Sequence, residues 1–121
     1  MKLFRIQDSE GRGPYRPGFS KQWADKDGPI CAPWWIELGI SLQAAMAMLP
    51  RGMFNGSAFD SLGKLEQWFT PSELEKLGKF NFNIVRFRPD KLIAETPTQV
   101  VFAQSYPLAQ LPILSPVGGL A

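Results

Sequence analysis

Leu3-Phe4-Arg5-Ile6-Gln7, then Asp8-Ser9-Glu10-Gly11, then Arg12-Gly13-Pro14-Tyr15-Arg16-Pro17-Gly18-Phe19, is the stretch from which the rest of the chain is read. Leu, Phe and Ile are strand formers and Asp-Ser-Glu-Gly is turn chemistry. A short strand carrying Arg5 should therefore run into a loop stiffened by two prolines. Alternation along that strand turns Leu3, Arg5 and Gln7 to one face and Phe4 and Ile6 to the other. An arginine on the mixed face needs a partner, and Glu95, Asp8 or a loop carbonyl are the intramolecular candidates. Facing an open pocket beside Tyr15 or a Trp, it would instead be poised for an anionic group. The loop adds guanidinium forks at Arg12 and Arg16 and aromatic faces at Tyr15 and Trp23, a set suited to an anion, a nucleotide or a partner surface.

Outward from this stretch, residues 8–33 show neither helical nor strand period and contain a Gly28-Pro29 breaker, which predicts a long loop. Loops of that length in a small domain are usually binding elements or disordered, and Trp23, Trp34 and Trp35 favour an ordered one. Residues 34–49 fit one or two helical segments broken near Gly39-Ile40-Ser41 and ended by Pro50. Asn55-Gly56 reads as a turn. Asp60 is placed to cap a helix over residues 61–69, with Leu62, Leu65, Trp68 and Phe69 on one face. Thr70-Pro71-Ser72-Glu73 combines a capping box with Pro at the first helical position, so a second helix should run over 71–77 and stop at Gly78. Strands are expected at 81–87, 92–95 and 99–103. Residues 106–121, with three prolines and Gly118-Gly119, read as an extended C-terminal arm on the surface.

Composition sets the limits. A chain of 121 residues with 45% hydrophobic content supports one domain with a single modest core, and a net charge of +2 is too mild for general DNA binding. The chain has no histidine, which removes the usual general base and the commonest metal ligand. A single Cys31 excludes an internal disulfide and a cysteine-rich zinc site, and its apolar neighbours suit a buried, inert thiol. No metal is expected. No apolar run approaches the roughly 20 residues that span a bilayer, so a cytoplasmic location in a bacterial host cell is the expectation.

The order of strand with Arg, long loop, helices and closing strands resembles the small ADP-ribosyltransferase scaffold. Leu3-Phe4-Arg5-Ile6 looks like the first strand of its Arg-Ser-Glu clade, Ser57 or Ser61 like its serine, and Thr98-Gln99-Val100-Val101-Phe102 like the strand that carries its catalytic Glu. Here that position is Gln99, and an amide cannot stabilise a developing oxocarbenium cation. The resemblance implies NAD as cofactor, Arg5 and Tyr15 gripping it, and Glu95 as the substitute catalytic acid. A second likeness, carried by Gly11-Arg12-Gly13-Pro14-Tyr15-Arg16, Phe69-Thr70-Pro71-Ser72-Glu73 and Gln99-Val100-Val101-Phe102, is to small phage and prophage proteins. It implies an accessory role such as inhibition of a bacterial defence complex.

The fold expected is α+β, a small mixed or antiparallel sheet with short helices on one side. The leading functional expectation is a non-catalytic phage-type binding protein of anti-CRISPR-like role, needing no cofactor. It would engage a host protein or nucleoprotein complex through Arg5, Arg12, Tyr15, Arg16, Trp23 and Gln99. The alternatives are an NAD-dependent mono-ADP-ribosyltransferase and a phage structural or assembly component.

Overall fold

Strand β1 (Leu3–Gln7) forms where the apolar alternation places it, and its pairing organises the first of two sheets. The computed structural model describes residues 1–15, 18–25 and 32–118, so Arg16, Cys31 and the Gly28-Pro29 breaker lie outside the described residues. β1 runs antiparallel to β3 (Asn83–Phe87), and β3 pairs on its other side with β6 (Ile113–Pro116). In the second sheet β5 (Val100–Gln104) is central, flanked by β2 (Phe54–Ala58) and β4 (Lys91–Glu95), again all antiparallel. The architecture is thus α+β, with two small sheets where one was expected. Among the described residues one isolated bridge links their backbones, in which Phe4 and Phe59 exchange N–H···O bonds of 2.8 Å in both directions.

The pleat explains the core between the sheets. Leu3, Val85 and Phe87 project from the first sheet against Ala58, Val100 and Phe102 of the second, with Leu111 closing one end. The opposite face of the first sheet presents Ile6 and Ile84 to helices α3 (Leu62–Trp68) and α4 (Pro71–Lys79) and to the long loop, through Leu65, Leu77, Phe19 and Trp23. The opposite face of the second sheet presents Val101 to α1 (Trp34–Glu37) and α2 (Leu42–Met48), through Trp34 and Ala45. Helices therefore cover two separate sheet faces rather than one side of one sheet.

Three local expectations give way. Asn55-Gly56 lies inside β2, not in a turn, because residues 54–58 pair along their length with β5. Ser61, not Asp60, caps α3 by accepting from Lys64 N, while Asp60 pairs with the Lys64 ammonium at 3.0 Å. The third gives way in part: the C-terminal segment is extended and largely exposed over its described residues, but Ile113–Pro116 is tied into the first sheet as an edge strand, and Val117 is buried against that sheet's helical layer. Proline is tolerated there because an edge strand has one side free of ladder bonds.

The capping box at the corner between α3 and α4 is complete: Thr70 Oγ1 accepts from Glu73 N at 3.1 Å and Glu73 Oε1 accepts from Thr70 N at 2.8 Å. Pro71 starts α4, which continues through Gly78 to Lys79. Gly78 persists inside the helix because a Cβ there would stand 2.3 Å from the Val117 carbonyl oxygen. Gly→Ala inside a helix ordinarily stabilises by about 1 kcal/mol. Gly78→Ala is expected to reverse that sign and destabilise by about 1–3 kcal/mol through overpacking, read as a lower urea midpoint. A higher midpoint would mean that the C-terminal segment does not lie across α4.

Candidate ligand pocket

Arg5 leaves the inner face of β1 beside the bridge that joins the sheets, where β2 separates from β1 and leaves a gap between the strands. Its guanidinium fills that gap: Nε donates to Gln7 Oε1 at 3.1 Å, one terminal nitrogen to the Ser57 carbonyl at 2.9 Å and the other to the Gly11 carbonyl at 3.4 Å. Gln7, itself buried, is held by donating to the Leu108 carbonyl at 2.7 Å. Two glycines make room for the group. A Cβ on Gly56 would come within 2.9 Å of a guanidinium nitrogen, and one on Gly13 within 3.3 Å. Among the described residues no carboxylate forms an ion pair with Arg5. Burial lowers its pKa from the usual guanidinium range to about 10, opposed in part by the charge of Asp8.

The guanidinium lies at the wall of a cavity of about 470 Å³, within the range of small-ligand sites. Its other walls are mainly rings: Tyr15 from the loop, Trp34 and Trp35 from α1, Phe59 after β2, and Trp68 and Phe69 at the end of α3. These rings are braced. Trp68 Nε1 donates to the Tyr15 hydroxyl at 2.6 Å, Tyr15 stacks on Phe69 at 6.2 Å, and Trp34 meets Trp35 edge-on at 5.8 Å. Gln99 closes the far wall, with its Nε2 donating to the Ala32 carbonyl at 3.1 Å and to Glu37. Both amide hydrogens being committed, the side chain offers the cavity its carbonyl oxygen.

Of the residues singled out in the sequence, Arg5, Tyr15 and Gln99 meet in this cavity. Trp23 lies beneath it, buried, with Nε1 donating to the Pro14 carbonyl at 3.0 Å and its ring edge-on to Tyr15. Arg12 does not reach it: the side chain turns outward to Asp8 and Glu10, each at 2.8 Å. Glu95 ends β4 opposite Val100, is exposed, and is not a lining residue. Ser57 lines the cavity, whereas Ser61 serves as a helix cap. The walls from Trp34, Trp35, Trp68 and Phe69 were readable only as packing residues, since nothing local says that α1 and α3 face one another across Arg5.

The carboxylate nearest in role is Glu37, which accepts from Gln99 and from the hydroxyls of Thr96 and Thr98 at 3.0 and 2.7 Å. Burial pushes its pKa up, but these hydrogen bonds outweigh that and hold it below the ordinary 4.5. Asp25 is likewise lowered from 3.8, by hydrogen bonds from Thr70 and then Lys76, and ties the long loop to the start of α4. Both groups are more acidic folded than unfolded, so their contribution is complete above pH 4.5 and is lost as pH falls through the lower folded values. Thermal melting should be flat from pH 7 to about 5 and decline below about 4. Asp25→Asn should flatten part of that decline. A melting temperature unchanged down to pH 3 would contradict these carboxylate contacts.

Among the described residues no helix is long and apolar enough to cross a membrane, and no cluster of acidic or sulfur ligands is placed to hold a metal ion. Fold and cavity together define a small α+β protein built around one desolvated arginine in an aromatic-walled pocket. The family model of the bacteriophage T4 Y00F protein matches residues 1–109, and the chain belongs to that family of phage proteins. No curated protein and no solved structure matches it.

Proposed function

We propose that this phage protein is a non-catalytic binding protein that holds a group of its partner in the Arg5 cavity, the partner being a host protein or nucleoprotein complex. An inhibitor of a bacterial defence complex, anti-CRISPR-like in role, fits this description. The observation that carries the reading is a guanidinium held in place by neutral acceptors, with no carboxylate on it among the described residues, inside an aromatic-walled cavity. A cation so desolvated gains most from an anion brought in from outside. Saturating, stoichiometric inhibition of a purified defence nucleoprotein complex, without turnover and lost in Arg5→Ala, is the expected result. Inhibition that is catalytic in the phage protein would overturn the reading.

The rival is an NAD-dependent mono-ADP-ribosyltransferase, favoured by the meeting of Arg5, Tyr15 and Ser57 in one cavity. Its acidic group, assigned to Glu95, would have to come from outside the lining. Label transferred from NAD to protein and abolished in Glu95→Gln would establish it over the binding reading.

A further inference from the structure

We infer that the group taken by the Arg5 cavity is a nucleoside monophosphate, its phosphate on the guanidinium and its base between the rings, with a base N–H donated to Gln99. This deepens the binding reading and rests on it. The lining decides the class. Among the described residues Arg5 is its one charged lining residue, so a ligand carrying an ammonium group meets no anion among them, which disfavours amino acids and zwitterionic peptides. The remaining N–H groups of the Arg5 fork suit phosphate oxygens. Trp34, Trp35 and Trp68 are large flat surfaces of the kind on which any base stacks. The amide oxygen of Gln99 is a neutral acceptor, matched to the ring or exocyclic N–H that a nucleobase carries and a simple aryl anion lacks.

The nucleotide can be free or stand at the end of a nucleic-acid strand, since both present the same phosphate and base. The three wall indoles provide the probe: quenching of intrinsic fluorescence during titration with AMP, GMP, CMP and UMP. At least one nucleotide should quench saturably and raise the melting temperature, with its unphosphorylated nucleoside binding at least tenfold more weakly. Arg5→Lys, which retains charge but not the fork, and Trp35→Ala should each weaken binding at least tenfold while still unfolding cooperatively. A 5′-phosphorylated oligonucleotide binding as tightly as the mononucleotide would assign the strand end as the source, and one binding tenfold more weakly the free nucleotide. Phenyl phosphate or phenylacetate binding as well as any nucleotide would overturn the assignment to nucleotides and leave the binding reading standing. Absence of any Arg5-dependent binding among all these probes would overturn the nucleotide assignment, and the binding reading would then stand or fall on the Arg5-dependent inhibition of a purified defence complex. Conversion of the bound nucleotide to product would leave the ligand class intact and overturn the non-catalytic reading.

Discussion

Trp23→Ala is expected to lower folding stability by about 3–5 kcal/mol, as truncation of a large buried ring commonly does. The ring is 1% exposed and stands where the long loop, α3 and the pocket meet. It packs on Phe69 at 5.6 Å and on Tyr15 at 5.2 Å, and its Nε1 satisfies the Pro14 carbonyl. Removing it opens a void that the braced neighbours cannot fill and leaves that carbonyl without its donor. Equilibrium urea unfolding measures the loss. Trp23→Phe, which keeps most of the volume, should recover more than half of it. A loss below about 1 kcal/mol for the alanine variant would mean that the loop is not stapled to the core by this residue.

Arg5→Ala should weaken capture of the partner group at least tenfold, or about 1.4 kcal/mol, and also cost stability. From the sequence alone, little change in stability is expected of a residue on a mixed face. The three hydrogen bonds argue for more, because they tie β1 to its own Gln7, to β2 and to the loop. Their loss is opposed by the release of a desolvated cation, whose folded pKa of about 10 lies below that of a free guanidinium. The net expectation is a destabilisation of about 1–3 kcal/mol, small enough for the variant to remain folded. Binding and unfolding measured on the same preparation separate the two effects. Unchanged affinity would make Arg5 a purely structural tie between the sheets.

Much of the fold was legible because its signals are local. Thr70-Pro71-Ser72-Glu73 specifies a helix start through side chains that bond within one turn, and α4 begins there. Gly39, with φ of 72°, breaks α1 from α2 where the sequence placed the interruption. β2 was not legible, since Asn55-Gly56 carries turn chemistry and only pairing with β5, distant in sequence, holds it straight. Gly56 is there because the Arg5 guanidinium crosses it, a reason that no neighbouring residue discloses. β6 was hidden in the same way by Pro112 and Pro116, although the Pro112 carbonyl accepts from Arg86 N at 3.1 Å. In the site, Arg5 could be marked by its place on the mixed face of a short strand and Tyr15 by its place in the basic, proline-bearing loop that follows. The aromatic walls opposite them depend on how two sheets are set together, which a pattern along one chain does not encode.

That junction also has a dynamic consequence. The sheets are linked edge to edge by the mutual bonds of Phe4 and Phe59, and the Arg5 guanidinium lies immediately beside that link. Opening the cavity by parting the sheets would break these two bonds first, exposing two backbone amides whose hydrogens exchange with solvent only while the seam is apart. Isotope uptake at Phe4 and Phe59 therefore clocks the opening of the pocket. A bound molecule spanning the gap would slow both amides together, while those of β4, at the far edge of the second sheet, would keep their pace.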